Sequence, residues 1–179
     1  MAKIYVIAGK ARHGKDTTAL AIKKVYKDKK IINLAYGNYV KEYAKKISDW
    51  DGSEETKPRE LLQNLGTDVI RAKIDKDFFV KRLCEDIKVY SYYFDIITIS
   101  DARFPNEIDF PKKLFDDVIS IKVVRPNFET PLTLEQTKHA SETALDNYEN
   151  FDFVLYNDGS ISDLDEKVKE IVEKVENEH

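Results

Sequence analysis

Cysteine is almost missing from this chain of 179 residues: Cys84 is its one copy. No disulfide can form within the chain, and a reducing compartment is the simplest setting. No apolar run approaches the ~20 residues that cross a bilayer. The first apolar run, Ile4 to Ala8, is too short for the core of a signal peptide, and no cleavage-site pattern accompanies it. Membrane, secreted and fibrous classes are set aside. Neither sign of charge dominates. Lys and Arg total 29 and Asp and Glu 33, a net charge of −4, which argues against a dedicated DNA-binding protein. What is present is apolar material, 42% of the chain, enough for a packed core. The length predicts one domain spanning 1–179, with room for a small insert.

The charge is unevenly spread. Residues 1–50 hold 12 basic and 4 acidic residues, and residues 130–179 hold 4 basic and 13 acidic. Two differently solvated faces would account for this; so would an N-terminal half that handles an anion.

Lys3 to Ala8 is rich in β-branched and aromatic residues and predicts a buried strand. A loop follows from Gly9 to Gly14, then a helix from Lys15 to Tyr26. Ile31 to Tyr36 predicts a second strand, ended by Gly37, and Tyr39 to Ile47 a helix. Pro58 opens a longer helix whose apolar stripe is Leu61, Leu62, Leu65, Val69 and Ile70; Gly66 weakens it midway. Asp77 is placed to cap a helix from Phe78 to Lys88. Asp95 to Ser100 and Val118 to Val124 predict strands. Four of the five prolines fall between 105 and 131, so that stretch reads mostly as loop, with one short helix from Asn106 to Phe115. Phe153 to Tyr156 is the last strand, turned by Asn157-Asp158-Gly159, and Leu164 to Val175 closes the chain as an amphipathic helix. Strands alternating with helices predict an α/β fold: a parallel sheet of about five strands with helices on both faces. Ligands of such sheets sit at the carboxyl ends of the strands.

The unusual residues fall there. Gly9-Lys10-Ala11-Arg12-His13-Gly14-Lys15 matches the first seven positions of the phosphate-loop pattern G-x-x-x-x-G-K-[ST], between a strand and a helix as that motif requires. Glycines let the backbone curl its N–H groups toward an anion, and the following helix adds its positive end. Lys15 can reach the β- and γ-phosphates. Asp16 stands where a hydroxyl residue usually holds Mg²⁺; a carboxylate is itself a good hard ligand, and Thr17 offers a hydroxyl one position later. Arg12 at the crown of the loop is a phosphate contact or a solvated arginine. His13 reads as a neutral loop residue.

Asp101 follows a strand and could hold a metal's water shell, or cap a loop. Arg103 could bind a phosphate bidentately, or pair with Glu107 or Asp109. Arg59 and Gln63 share a helix face, and Arg71 lies near it in projection; this is a substrate-reading face or a solvated one. Arg125, Lys138 and His139 lie in a proline-broken segment that would serve as a lid or simply be a surface loop. In His139-Ala140-Ser141-Glu142, Ser141 is placed to cap the next short helix. Cys84 lies in an apolar helix and reads as core.

The ordered set resembles the bacteriophage-type deoxynucleoside monophosphate kinases nearly end to end. It comprises Gly9 to Thr17 with its Gly-Lys-Asp-Thr ending, Arg59 to Arg71, Ser100-Asp101-Ala102-Arg103-Phe104-Pro105-Asn106-Glu107, His139 to Glu142 with Leu145-Asp146, and Asn157 to Ser160. Animal-type phosphomevalonate kinases look like relatives and are the competitor within this fold. The resemblance implies a phosphate-loop NTPase of the nucleoside-monophosphate-kinase type, with an acceptor region at about 38–90 and a lid at about 125–140. It implies γ-phosphoryl transfer from ATP, with Mg²⁺, to a deoxynucleoside monophosphate. Carried over by position, Gly9 to Thr18, including Thr17 and Thr18, form the nucleotide site. Lys15, Arg12, Asp101 and Arg103 are the catalytic candidates, and Asp16 and Asp101 the metal candidates. Arg59, Gln63, Arg71, Lys138, His139 and Glu142 are the substrate candidates, with Arg71 expected on the 5′-phosphate and Arg59 as its competitor. The lid is poorer in arginine than kinase lids usually are. The implied partners are ATP and the acceptor, with a homodimer admitted and no polymeric nucleic acid or membrane. The implied location is the cytoplasm of a bacterium or a phage-infected cell. Two readings from other classes are a nucleotide switch without an acceptor and a non-catalytic binding protein that keeps the fold.

Overall fold

Ile4, Val6 and Ala8 turn to one side of the first strand and Tyr5 and Ile7 to the other, and all five are fully buried. A strand with both faces covered belongs in the middle of a layered α/β sheet. The computed structural model describes residues 1–177 and puts it there. In chain order the elements begin with β1 (Lys3–Ala8), α1 (Lys15–Val25), β2 (Ile31–Leu34), α2 (Gly37–Ile47) and α3 (Arg59–Gln63). A π-helical stretch, Asn64–Ile74, continues α3. Then come α4 (Phe78–Tyr90), β3 (Ile96–Ala102), α5 (Asn106–Leu114), β4 (Val118–Val124), α6 (Leu134–Lys138), α7 (Ala140–Thr143), β5 (Phe153–Tyr156) and α8 (Ile161–Asn177).

The five strands are parallel in the order β2-β3-β1-β4-β5. Ile22 of α1 and Leu164, Val168 and Val172 of α8 pack on Tyr5 and Ile7. Val80, Leu83 and Ile87 of α4 and Ile108 of α5 pack on Ile4 and Val6. Cys84 belongs to that second core, where burial pushes its thiol up to about 12. Among the described residues no helix is long and apolar enough to cross a membrane.

The elements that differ from expectation do so for tertiary reasons. Strand β2 stops at Leu34 and α2 begins at Gly37, two residues before Tyr39, because the Asp101 carboxylate receives the Tyr36 and Gly37 amides at 2.9 and 2.8 Å. A distant carboxylate thus satisfies donors that a new helix leaves open. Strand β3 runs past Ser100 to Ala102, which pairs with Ala8. The single long helix expected from Pro58 becomes short α3 and the π-helical stretch. Gly66, Thr67, Val69 and Ile70 all disfavour a tight α-helix, and the Asp75 amide closes an i→i+5 bond to Ile70 at 2.9 Å. Asp77 does not cap α4 with its side chain; it receives Asn106 Nδ2 at 2.7 Å. Ser141 is not the cap of α7. His139 Nδ1 accepts the Ser141 amide at 3.2 Å instead. Within the proline-broken segment that reads as a lid or a surface loop, a Thr133–Gln136 capping box starts α6.

Candidate active site

The loop after β1 is clamped from two sides. Gly9 has φ 154°, and a Cβ there would lie 2.6 Å from the Val123 carbonyl on β4. Gly14 has φ 102°, and its Cβ would meet the Asn157 side chain at 2.6 Å. Asn157 Nδ2 donates to the His13 carbonyl at 3.0 Å, so the loop after β5 buttresses the crown. Only glycine fits both constraints at both positions. His13 accepts the Arg125 amide at Nδ1, 3.2 Å away, which requires that nitrogen unprotonated; burial also lowers its pKa, as expected for a neutral loop residue. Thr18 is fully buried and donates to the Gly14 carbonyl at 2.9 Å, holding α1 to the loop.

Lys15 is 8% exposed and folds over the loop, donating to the Gly9 and Lys10 carbonyls at 2.9 and 2.8 Å. Burial, followed by the Arg103 charge, lowers its pKa to about 8. A desolvated ammonium held by carbonyls alone is a strong anchor for a phosphate.

Beyond the loop opens a cavity of about 530 Å³, within the range of small-molecule sites. The phosphate-loop side supplies Arg12, Lys15 and Asp16. The ends of β3 and α5 supply Ser100, Asp101, Arg103 and Glu107, and α3 with the π-helical stretch supplies Arg59, Gln63 and Arg71. Pro131, Leu132 and Gln136 form the opposite wall, and Glu142 the edge. Ten of the site candidates read from the sequence, Ala11 among them, therefore face one space. Lys138 and His139 do not: Lys138 is exposed at the end of α6 and His139 is engaged with Ser141, so Gln136 takes the place expected of them. Gly9, Lys10 and His13 face a second cavity of about 220 Å³ behind the loop.

Three acids organise the floor. Asp101 is spent on the start of α2, as its loop-capping reading had it; burial raises its pKa against those two hydrogen bonds. Glu107 is 3% exposed and receives Arg71 Nη2 at 2.7 Å and the Arg103 and Phe104 amides at 2.7 and 3.1 Å. Burial pushes Glu107 up to about 7, opposed by Arg71. Arg71 also donates to Asn106 Oδ1 and the Lys76 carbonyl and stacks 3.8 Å over Phe104. Glu142 binds Arg103, rather than Glu107 or Asp109 doing so, and receives the Ala11 amide of the phosphate loop at 3.0 Å.

Sequence reasoning missed Glu107, Asn106, Asn157 and Ser100 as working residues. Ser100 carried a signal: Thr98 and Ser100 are polar at alternate positions of an otherwise apolar strand. The pairing of Glu107 with Arg71 carried none, since the two are 36 residues apart.

Comparison with known proteins decides the family. A model of the deoxynucleotide monophosphate kinases matches residues 32–168. The chain belongs to the deoxynucleotide monophosphate kinase family. The deoxynucleotide monophosphate kinase of Enterobacteria phage T4 is 29% identical over 143 residues, 79% of this chain and 54% of that protein. That of Escherichia phage RB69 is 32% identical over 115 residues, 64% of this chain and 44% of that protein. The chain spans about half the length of the curated relatives it matches. The fold is that of phosphate-loop kinases: a sugar kinase from a Janibacter species superposes with a TM-score of 0.61 at 15% identity, covering 97% of this chain and 95% of the other.

Proposed function

We propose that the chain transfers the γ-phosphoryl group of ATP to a deoxynucleoside 5′-monophosphate, yielding a diphosphate and ADP. The observation that carries this reading is one cavity in which Lys15 of the phosphate loop faces Arg59 and Gln63 across the floor of Asp101 and Arg103. A nucleotide switch needs only the first of those walls.

In this reading Lys15 and Arg12 hold the donor's phosphates. Arg59 binds the acceptor phosphate and Gln63 meets the base edge. The acceptor oxygen attacks the γ-phosphorus as the bond to the bridging oxygen breaks, so no side-chain nucleophile is required. Arg103 and Lys15 neutralise the charge. Residues 125–140 act as the lid, with Pro131, Leu132 and Gln136 on its inner side. Mg²⁺, held by Asp16, would supply neutralisation of the donor's phosphate charge. The residues fit such an ion: Asp16 presents a hard oxygen at the cavity. No group of three His, Cys, Asp or Glu forms a cage among the described residues. One carboxylate plus phosphates and water is the usual holding of Mg²⁺ in kinases.

The test is ADP release with ATP–Mg²⁺ and a panel of deoxynucleotides, ribonucleotides and phosphomevalonate. Turnover dependent on a deoxynucleotide supports the proposal. Hydrolysis indifferent to acceptor favours the switch, and turnover with phosphomevalonate alone favours the other kinase class. Within this assay Arg59→Ala is expected to raise KM for the deoxynucleotide roughly 10- to 150-fold, the effect of losing one charged hydrogen bond, while KM for ATP stays nearly constant. Equal changes in both constants would remove Arg59 from the acceptor site.

A further inference from the structure

Ser100 closes a chain of side-chain hydrogen bonds that ends on Asp16. Thr98 Oγ1 lies 2.8 Å from Asn33 Oδ1, Asn33 Nδ2 lies 3.0 Å from Ser100 Oγ, and Ser100 Oγ lies 2.7 Å from Asp16 Oδ1. The sheet dictates this alignment. Asn33 and Thr98 are register partners across β2 and β3, and Ser100 stands two residues beyond Thr98 on the same face, toward α1. Thr98 and Ser100 are 1% and 2% exposed.

The direction of every proton in the chain follows from its end. An ionised carboxylate can only accept, so the Ser100 proton points at Asp16. Ser100 oxygen must then accept from the Asn33 amide nitrogen, and Asn33 oxygen must accept from Thr98. All three donors point one way. One Asp16 oxygen is thereby fixed.

We infer that Ser100 is a positioning residue for the metal-binding carboxylate: it pins one oxygen of Asp16 so that the other faces the cation that accompanies the nucleotide. The phosphate-loop pattern has a hydroxyl after its lysine, and phosphate-loop sites hold Mg²⁺ with that hydroxyl together with an acid at the end of a neighbouring strand. Here the carboxylate is on the loop and the hydroxyl is on the strand end. The two groups have exchanged places, and the pair still meets. The adjacent Asp101 already accepts the Tyr36 amide at one oxygen and the Gly37 amide at the other, so Asp16 is the less engaged of the two carboxylates. This inference rests on the proposed metal–nucleotide chemistry.

The experiment measures Mn²⁺ binding to the full chain at saturating ADP, by the loss of the free-ion paramagnetic resonance signal. ADP affinity without metal and the melting temperature are measured alongside. Ser100→Ala is expected to weaken Mn²⁺ binding roughly tenfold, the lower range for a hydrogen bond to a charged group, and to leave metal-free ADP affinity unchanged. Ser100→Thr keeps the hydroxyl and is expected to bind Mn²⁺ as the unaltered chain does. Asp16→Ser is expected to bind Mn²⁺ weakly, and adding Ser100→Asp to it is expected to restore binding by returning each group to its usual side. Ser100→Ala within twofold of the unaltered chain, or a double variant no better than Asp16→Ser, overturns the inference while leaving the proposed kinase reading intact. No ADP-dependent Mn²⁺ binding by the unaltered chain overturns both.

Discussion

Lys15→Met is expected to lower acceptor-dependent ADP release by ~10²–10⁴ and leave the fold intact. The rate loss is that of removing one preorganised charge from a transferring group. The stability side follows from where the ammonium sits. Lys15 is buried, and its pKa falls to about 8 from 10.5, so the folded state holds this proton less firmly than the unfolded chain does. A depressed pKa contributes stability above the unfolded value that is lost as pH falls through the folded one. At pH 7 the charged Lys15 is therefore a net cost to folding, and an apolar side chain of similar length removes it. Turnover should vanish without a drop in melting temperature at pH 7. A folded Lys15→Met protein with near-normal turnover would remove Lys15 from the chemistry. The unaltered protein carries a related signature: apparent affinity for ATP is expected to weaken above about pH 8, where free Lys15 loses its proton, and Lys15→Met is expected to lack that limb.

Local signals were legible in the sequence and long-range partners were not. The phosphate loop could be read because its geometry is made by neighbours: Gly9 and Gly14 bend the chain, and a strand and a helix flank it. The five strands could be read because each is a short apolar run. Helix starts were misplaced where the cap arrives from elsewhere, as Asp101 does for α2 across more than 60 residues. The acids were the least legible. Glu142 stands next to a helix-like motif, yet its partners are Arg103 and the Ala11 amide, the latter 131 positions away. A carboxylate that satisfies a loop amide and a guanidinium together leaves no pattern in its own neighbourhood. Arg71 illustrates the opposite case. It matched a substrate arginine in type and place, and only the packed structure reveals that most of its donors are already engaged.

Arg71→Ala is accordingly expected to act on stability first. Its side chain is 13% exposed and that of Glu107 5%, so removing the guanidinium leaves a carboxylate buried without its cation. Breaking such a pair typically costs about 3–5 kcal/mol. For a chain of this size that corresponds to a melting temperature lower by roughly 6–20 °C. The size should depend on pH. Glu107 has a folded pKa of about 7, above its usual 4.5, so its contribution to stability is fully present below pH 4.5 and is lost as pH rises through 7. Without Arg71 the folded pKa rises further, and the loss continues into the alkaline range. The melting-temperature gap between Arg71→Ala and the unaltered protein is expected to be small at pH 5.5, where Glu107 can hold a proton, and large at pH 8.5. Glu107→Gln, added to Arg71→Ala, should flatten that dependence, because the carboxyl group whose titration causes it is gone. Arg71→Lys should recover part of the stability but not the stacking on Phe104, where a planar group is needed. A pH-independent gap, or a large rise in deoxynucleotide KM with an unchanged melting temperature, would return Arg71 to the acceptor phosphate and leave Glu107 without the role given to it.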